Sequence, residues 1–174
     1  MVEIERKWLL TNRPPINLKI FTKDECYEII QYYLKEKNNN TTERIRHIKK
    51  QNKNIIENVY IYTKKTYIAG QIGQQEKEYL ITKEAFDSYK KSAISIIQKK
   101  RYQKNIDNIT WCLDIFSNIN IILLEAEIVV DEHDAKNKEK WLLKQPVNKI
   151  FLKHIIKEVT NIKEFSNKKL AKKL

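Results

Sequence analysis

Apolar and polar residues alternate in short runs along most of this chain, with the period of two that sends successive side chains to opposite faces of a strand. VEIERKWLL opens with Val2, Ile4 and Trp8 on one face and Glu3, Glu5 and Lys7 on the other. Runs of the same kind predict strands over 2–10, 28–35, 42–50, 55–65, 74–81, 96–104, 109–117 and 121–130. Helical period is rarer. In ITKEAFDSYKKSAISI, Thr82 is placed to cap a helix and Ala85, Phe86, Tyr89 and Ala93 form an apolar stripe, predicting a helix over 83–93. DEHDAKNKEKWLL begins with acids suited to a helix N-terminus, and SNKKLAKKL suits a short last helix. Asn38 to Asn40 read as a turn between strands. No repeat or linker divides the chain, so one domain over 1–174 is expected.

The polar faces of these strands are ionic. Arg44 and Arg46 flank Ile45, Glu76 pairs with Glu78, Lys99 with Arg101 and Glu125 with Glu127, while Asp114 lies opposite Trp111, Leu113 and Ile115. One such pair is ordinarily a solvated strand face. The set argues otherwise, because same-face carboxylates stand about 6–7 Å apart along a strand and repel unless a cation lies between them. Hard cations such as Mg2+ or Mn2+ take carboxylate oxygens and leave coordination places for phosphate oxygens. Acids from different strands converge only if the sheet curls with its ionic face inward. The expected fold is therefore mainly β (α+β): an eight-stranded antiparallel closed β-barrel with helices packed outside, enclosing acids together with Lys7, Arg44, Arg46, Lys65 and Arg101. A bound metal-polyphosphate would satisfy both signs of charge.

Composition narrows the chemistry. Only Gly70 and Gly73 are glycines, which excludes a Gly-rich phosphate loop and a dinucleotide fingerprint. The formal charge is +12, from 34 Lys plus Arg against 22 Asp plus Glu, but 29 lysines, 27 isoleucines and 16 asparagines mark a bias spread over the chain. The five arginines are then the informative cations, since guanidinium offers phosphate a planar fork where lysine offers a point charge. Cys26 and Cys112 are isolated, so reduced structural thiols are expected, and His47, His133 and His154 are scattered, so surface or packing roles are expected for them. Trp8, Trp111 and Trp141 are expected in the outer core. The start carries no secretory signal and no run spans a bilayer, so a cytoplasmic protein without membrane contact is expected.

The Glu-x-Glu-x-Lys of Glu3, Glu5 and Lys7 resembles the signature of the CYTH superfamily, the triphosphate tunnel metalloenzymes. QYYL, RIR, YTKK, QEKEYLI, KKRY, WCLDIF, LLEAEI and EVTNIKEFSNKKLA follow in that family's order, leaving about 132–157 uncovered. The resemblance implies a tunnel binding triphosphate substrates with one or two Mg2+ or Mn2+ ions. It implies metal ligation by Glu3, Glu5, Asp114, Glu125 and Glu127, phosphate binding by Lys7, Arg44, Arg46, Lys65, Arg101 and Lys163, and a catalytic part for Lys7, Glu76 and Glu78. Gln74, Thr66 and the pair Glu164-Phe165 depart from the family pattern. The compact bacterial members it most resembles imply hydrolysis of inorganic tripolyphosphate to pyrophosphate and phosphate. Water would be the nucleophile, activated by a second metal near Glu76 or Glu78 or by a Lys7 of lowered pKa.

Tyr33 is a candidate gate, phosphate contact or wall residue. A class IV adenylyl cyclase and a thiamine triphosphatase are alternatives on the same tunnel. Outside enzymes, a polyphosphate-binding scaffold and a nucleic-acid module remain, the latter disfavoured because the lysines are dispersed and no recognition motif is present.

Overall fold

The alternating runs become strands with boundaries close to those expected. The computed structural model describes residues 2–13, 15–22, 25–35, 40–52, 55–66 and 74–174; most of the expected Asn38–Asn40 turn lies outside them, as do both glycines. The strands are β1 (Val2–Leu10), β2 (Cys26–Leu34), β3 (Thr41–Asn52), β4 (Ile55–Thr66), β5 (Gln74–Leu80), β6 (Ala93–Ile106), β7 (Ile109–Phe116), β8 (Ile122–Val130), β9 (Ile155–Glu158) and β10 (Lys172–Lys173). The helices are α1 (Lys83–Lys90), α2 (Ala135–Lys144) and α3 (Asn167–Leu170).

The order β6-β2-β3-β4-β5-β1-β8-β7, with β7 pairing back onto β6, closes an eight-stranded antiparallel barrel. The closing hairpin turns on Asp107 and Asn108, both at positive φ between Ile106 and Ile109, which matches the twist of the flanking strands. The seam is at β1. Among the described residues, Val2 and Glu3 pair with β5, and β9 takes up the other end of the same edge from Trp8 to Leu10.

The outer apolar faces are covered on two sides. Trp8, Trp111, Leu113, Leu124 and Ile128 form the main core beneath Leu142 of α2 and Phe151. Arg6, also on this side, donates to the carbonyls of Leu142 and Gln145 at 3.3 and 2.8 Å, satisfying the end of α2, and pairs with Glu158. On the far side Phe86 of α1 packs against Tyr32 and Ile45, and Thr82 caps that helix by accepting from the Ala85 amide. Helix α1 stops at Lys90, short of the expected Lys91–Ala93 extension, because Ala93 already belongs to β6. Trp141 differs from expectation: it lies exposed on α2.

Inside the barrel, Tyr33, Ile97, Phe116 and Leu123 form an apolar layer, against which the C-terminal stretch seats Val159, Phe165, Leu170 and Ala171. The short last helix that SNKKLAKKL suits is α3; its Leu170 and the following Ala171 join this plug, and Lys172–Lys173 then pair with β6.

Candidate functional site

Cross-strand register brings the ionic residues together. Lys7 faces Glu125 and Glu5 faces Glu127 across β1 and β8, Arg101 faces Asp114 across β6 and β7, and Lys65 faces Glu76 across β4 and β5. Side chains i and i+2 share a face, so each pair extends into an ionic layer next to the apolar plug.

On one wall Arg101 is the hub. Its Nε and Nη2 hold Asp114 at 2.6 and 2.7 Å, Nη2 reaches Glu125 at 2.5 Å and Nη1 reaches Glu127 at 3.4 Å. Lys99 adds a 2.5 Å bond to Asp114 and a 3.5 Å contact to Asn167 of the plug. Lys7 bridges Glu125 at 2.9 Å and Glu5 at 3.1 Å. On the other wall Arg44 pairs with Glu76 at 2.8 Å, Arg46 pairs with Glu78, and Thr63 donates to Glu78 at 2.9 Å. Lys65 joins the walls, holding Glu76 at 2.7 Å and Glu3 at 3.1 Å. Asp114 and Glu125 are 0 % and 1 % exposed, whereas the Glu5 side chain keeps 44 % of its surface, so water reaches part of this charged interior.

Glu3, Glu5 and Glu127 gather: one carboxylate oxygen of each lies within 4.8 Å of the others. An oxygen-only set of this kind suits a hard cation such as Mg2+ or Mn2+. Asp114 and Glu125, expected beside them as ligands, are occupied by cations: their partners are Arg101 and Lys99 for the first and Lys7 and Arg101 for the second.

The titration of these groups follows from burial and neighbours. Burial opposes the charge of Lys7, but Glu125 and Glu5 outweigh it and hold its pKa above the ordinary lysine value. The lowered pKa expected for a Lys7 base is therefore not what the site produces. Burial, reinforced by Glu125 and Glu3 and opposed by Arg101, pushes Glu127 up to about 8. Burial would also raise Glu76 and Glu78, yet the cations facing them, Lys65 and Arg44 for one and Arg46 for the other, keep both below the usual carboxylate range. Burial and the adjacent Arg44 lower Arg46 to about 10. The Nε atoms of Arg44 and Arg46 are buried without a hydrogen-bond acceptor among the described residues, which leaves two guanidinium donors for an anion's oxygens.

Of the expected phosphate-binding residues, Lys7, Arg44, Arg46, Lys65 and Arg101 meet in this interior. Lys163 does not join them. It is exposed at the start of the turn that carries Phe165 into the plug. Tyr33 is buried, accepts a 2.6 Å hydrogen bond from Gln31 and belongs to the plug layer, which favours the wall role. Cys112 is enclosed and donates to Glu127 at 3.6 Å. Lys99 and Thr63 were not assigned from sequence. Lys99 carried a legible signal, its shared face with Arg101, whereas Thr63 had none beyond its place two residues before Lys65.

No family model and no curated relative matches the chain. Solved structures do. The PH1819 protein of Pyrococcus horikoshii is 15% identical, with a TM-score of 0.60 over 82% of this chain and 86% of its own. A conserved hypothetical protein of Pyrococcus furiosus is 19% identical, with a TM-score of 0.58 over 82% and 88%. A putative adenylate cyclase of Vibrio parahaemolyticus is 15% identical, with a TM-score of 0.57 over 82% and 84%. At these identities the likeness is one of fold. Among the described residues no helix is long and apolar enough to cross a membrane.

Proposed function

We propose that the barrel is a triphosphate tunnel of the CYTH kind, and that the protein resembles the compact bacterial triphosphatases in hydrolysing inorganic tripolyphosphate to pyrophosphate and phosphate. The observation that carries this reading is the meeting, in one closed barrel, of the Glu3, Glu5 and Glu127 cluster with the cations Lys7, Arg44, Arg46, Lys65, Lys99 and Arg101, contributed by four strands. A barrel used only as a scaffold has no need to bury that many charges, since burying an ion costs several kcal/mol that pairing merely offsets.

Mg2+ or Mn2+ on Glu3, Glu5 and Glu127 would supply charge neutralisation on phosphate oxygens. The chain itself supplies the rest. Arg44, Arg46 and Lys65 hold one part of the substrate through the donors described above, and Lys7 and Arg101, kept protonated by Glu125 and Asp114, hold another. Such fixed cations align the chain for in-line attack and stabilise charge as it spreads over the transferring phosphoryl group. Water's oxygen bonds to the terminal phosphorus, the bridging P–O bond breaks, and pyrophosphate leaves with the bond's electrons. Glu78, ionised and 42 % exposed, is the better placed of the Glu76/Glu78 pair to accept water's proton. Lys7, held protonated, acts as a phosphate ligand and not as the base.

The likeness to the Vibrio putative adenylate cyclase favours one second reading, cyclisation of ATP, in which the ribose hydroxyl replaces water. Incubation with Mg2+ or Mn2+ and, separately, tripolyphosphate, ATP and thiamine triphosphate, with assays for phosphate and cyclic AMP, tests both. Phosphate from tripolyphosphate supports hydrolysis; cyclic AMP alone overturns it. Saturable tripolyphosphate binding without turnover would leave a polyphosphate-binding scaffold.

A further inference from the structure

A cavity on the outside of the barrel plays no part in the tunnel. It measures about 480 Å3 and lies between the segment 18–22 and strands β2, β3, β4 and β6. Register sets its floor: Cys26 faces Tyr102, and Glu28 faces Lys49 on one side and Lys100 on the other. These residues alternate along their strands with those of the ionic interior, so Lys100 and Tyr102 open outward while Lys99 and Arg101 point in. Among the described residues, four ammonium groups, Lys19, Lys49, Lys50 and Lys100, line the cavity against one carboxylate, Glu28. Lys19 and Lys49 have no acid within ion-pair distance among the described residues. One wall is aromatic, with the rings of Phe21 and Tyr102 5.3 Å apart, and Leu18 and Ile56 extend it.

We propose that this cleft is a second binding site, for a phosphorylated ligand that carries a planar aromatic ring and has the size of a mononucleotide. The volume lies within the roughly 300–1,000 Å3 of small-molecule sites. An inorganic phosphate would meet the cations and leave most of the volume and both rings uncovered. A neutral ring would cover Phe21 and Tyr102 and leave the lysines uncompensated. The two halves together match a ring stacked on an aromatic side chain with its phosphate among ammonium groups. The site does not depend on the tunnel being hydrolytic.

Cys26 lines the cleft and is partly exposed, whereas Cys112 is sealed in the barrel, so alkylation of the native, full-length protein by iodoacetamide reports on the cleft alone. The rate at Cys26, followed by mass spectrometry, is measured with AMP, adenosine and inorganic phosphate as probes. AMP is expected to protect at lower concentration than either half. Reversing Lys49→Glu and Lys100→Glu, both on exposed positions, is expected to raise the AMP concentration for half-protection by about tenfold or more, the loss of two charge-assisted contacts. Phe21→Leu is expected to weaken AMP and leave phosphate unchanged. Failure of AMP to protect, protection by phosphate equal to that by AMP, or unaltered AMP protection in the charge-reversed variant would each overturn the proposal.

Discussion

Arg101→Met is the sharpest perturbation of the ionic interior. The guanidinium makes four contacts at 2.5–3.4 Å with Asp114, Glu125 and Glu127, and the first two acids are almost fully enclosed. Removing one member of a buried ion pair costs about 3–5 kcal/mol, because the partner charge remains desolvated. Lys99 still serves Asp114 and Lys7 still serves Glu125, so the lower end, about 3 kcal/mol, is expected here. For a chain of this size that is a fall of roughly 6–12 °C in Tm, read by thermal or urea unfolding. Adding Asp114→Asn removes one stranded charge, and the double variant should fall short of the summed losses by about 1 kcal/mol or more. A loss below about 1 kcal/mol for Arg101→Met, with additive behaviour, is what exposed pairs give and would refute the enclosed network.

Glu127→Gln is expected to abolish saturable Mn2+ binding in calorimetry while leaving the fold intact by circular dichroism, since it removes one of the three clustered carboxylates. In the metal-free protein Glu127 holds its proton up to pH about 8, so an arriving cation must displace it: Mn2+ affinity should rise with pH below about 8 and level off above it, with heats that depend on the buffer's ionisation enthalpy. Affinity independent of pH in that range would contradict this. Asn108→Gly is expected to stabilise the β6–β7 hairpin by about 0.5 kcal/mol in urea unfolding, because φ of 62° there favours glycine.

Strand content and the division of each strand into an apolar and an ionic face were legible because both depend only on the period of two. The eight barrel strands are found close to their expected limits for that reason. Strand β9 was not legible: Ile155–Glu158 is four residues long, does not alternate, and forms on an edge that β5 leaves uncovered. Partner choice within the site was not legible either. Glu125 and Glu127 look alike in LLEAEI, but Glu125 lies opposite Lys7 and Glu127 opposite Glu5, so one is neutralised by cations and the other gathers with carboxylates. That distinction resides in cross-strand register, which no single strand encodes. The plug was hidden for a related reason, since Phe165 and Leu170 find their partners on β2, β6, β7 and β8, far away in the chain.

Phosphorus relaxation of tripolyphosphate in the presence of Mn2+ asks whether the carboxylate cluster and the buried cations form one site. With the wild-type chain, protein-bound Mn2+ should broaden the tripolyphosphate resonances beyond the effect of free Mn2+. The excess should vanish in Glu127→Gln, which loses the ion, and in Arg46→Ala, which loses the anion. Undiminished broadening in both variants, or none with the wild type, would mean that metal and triphosphate do not meet inside this barrel.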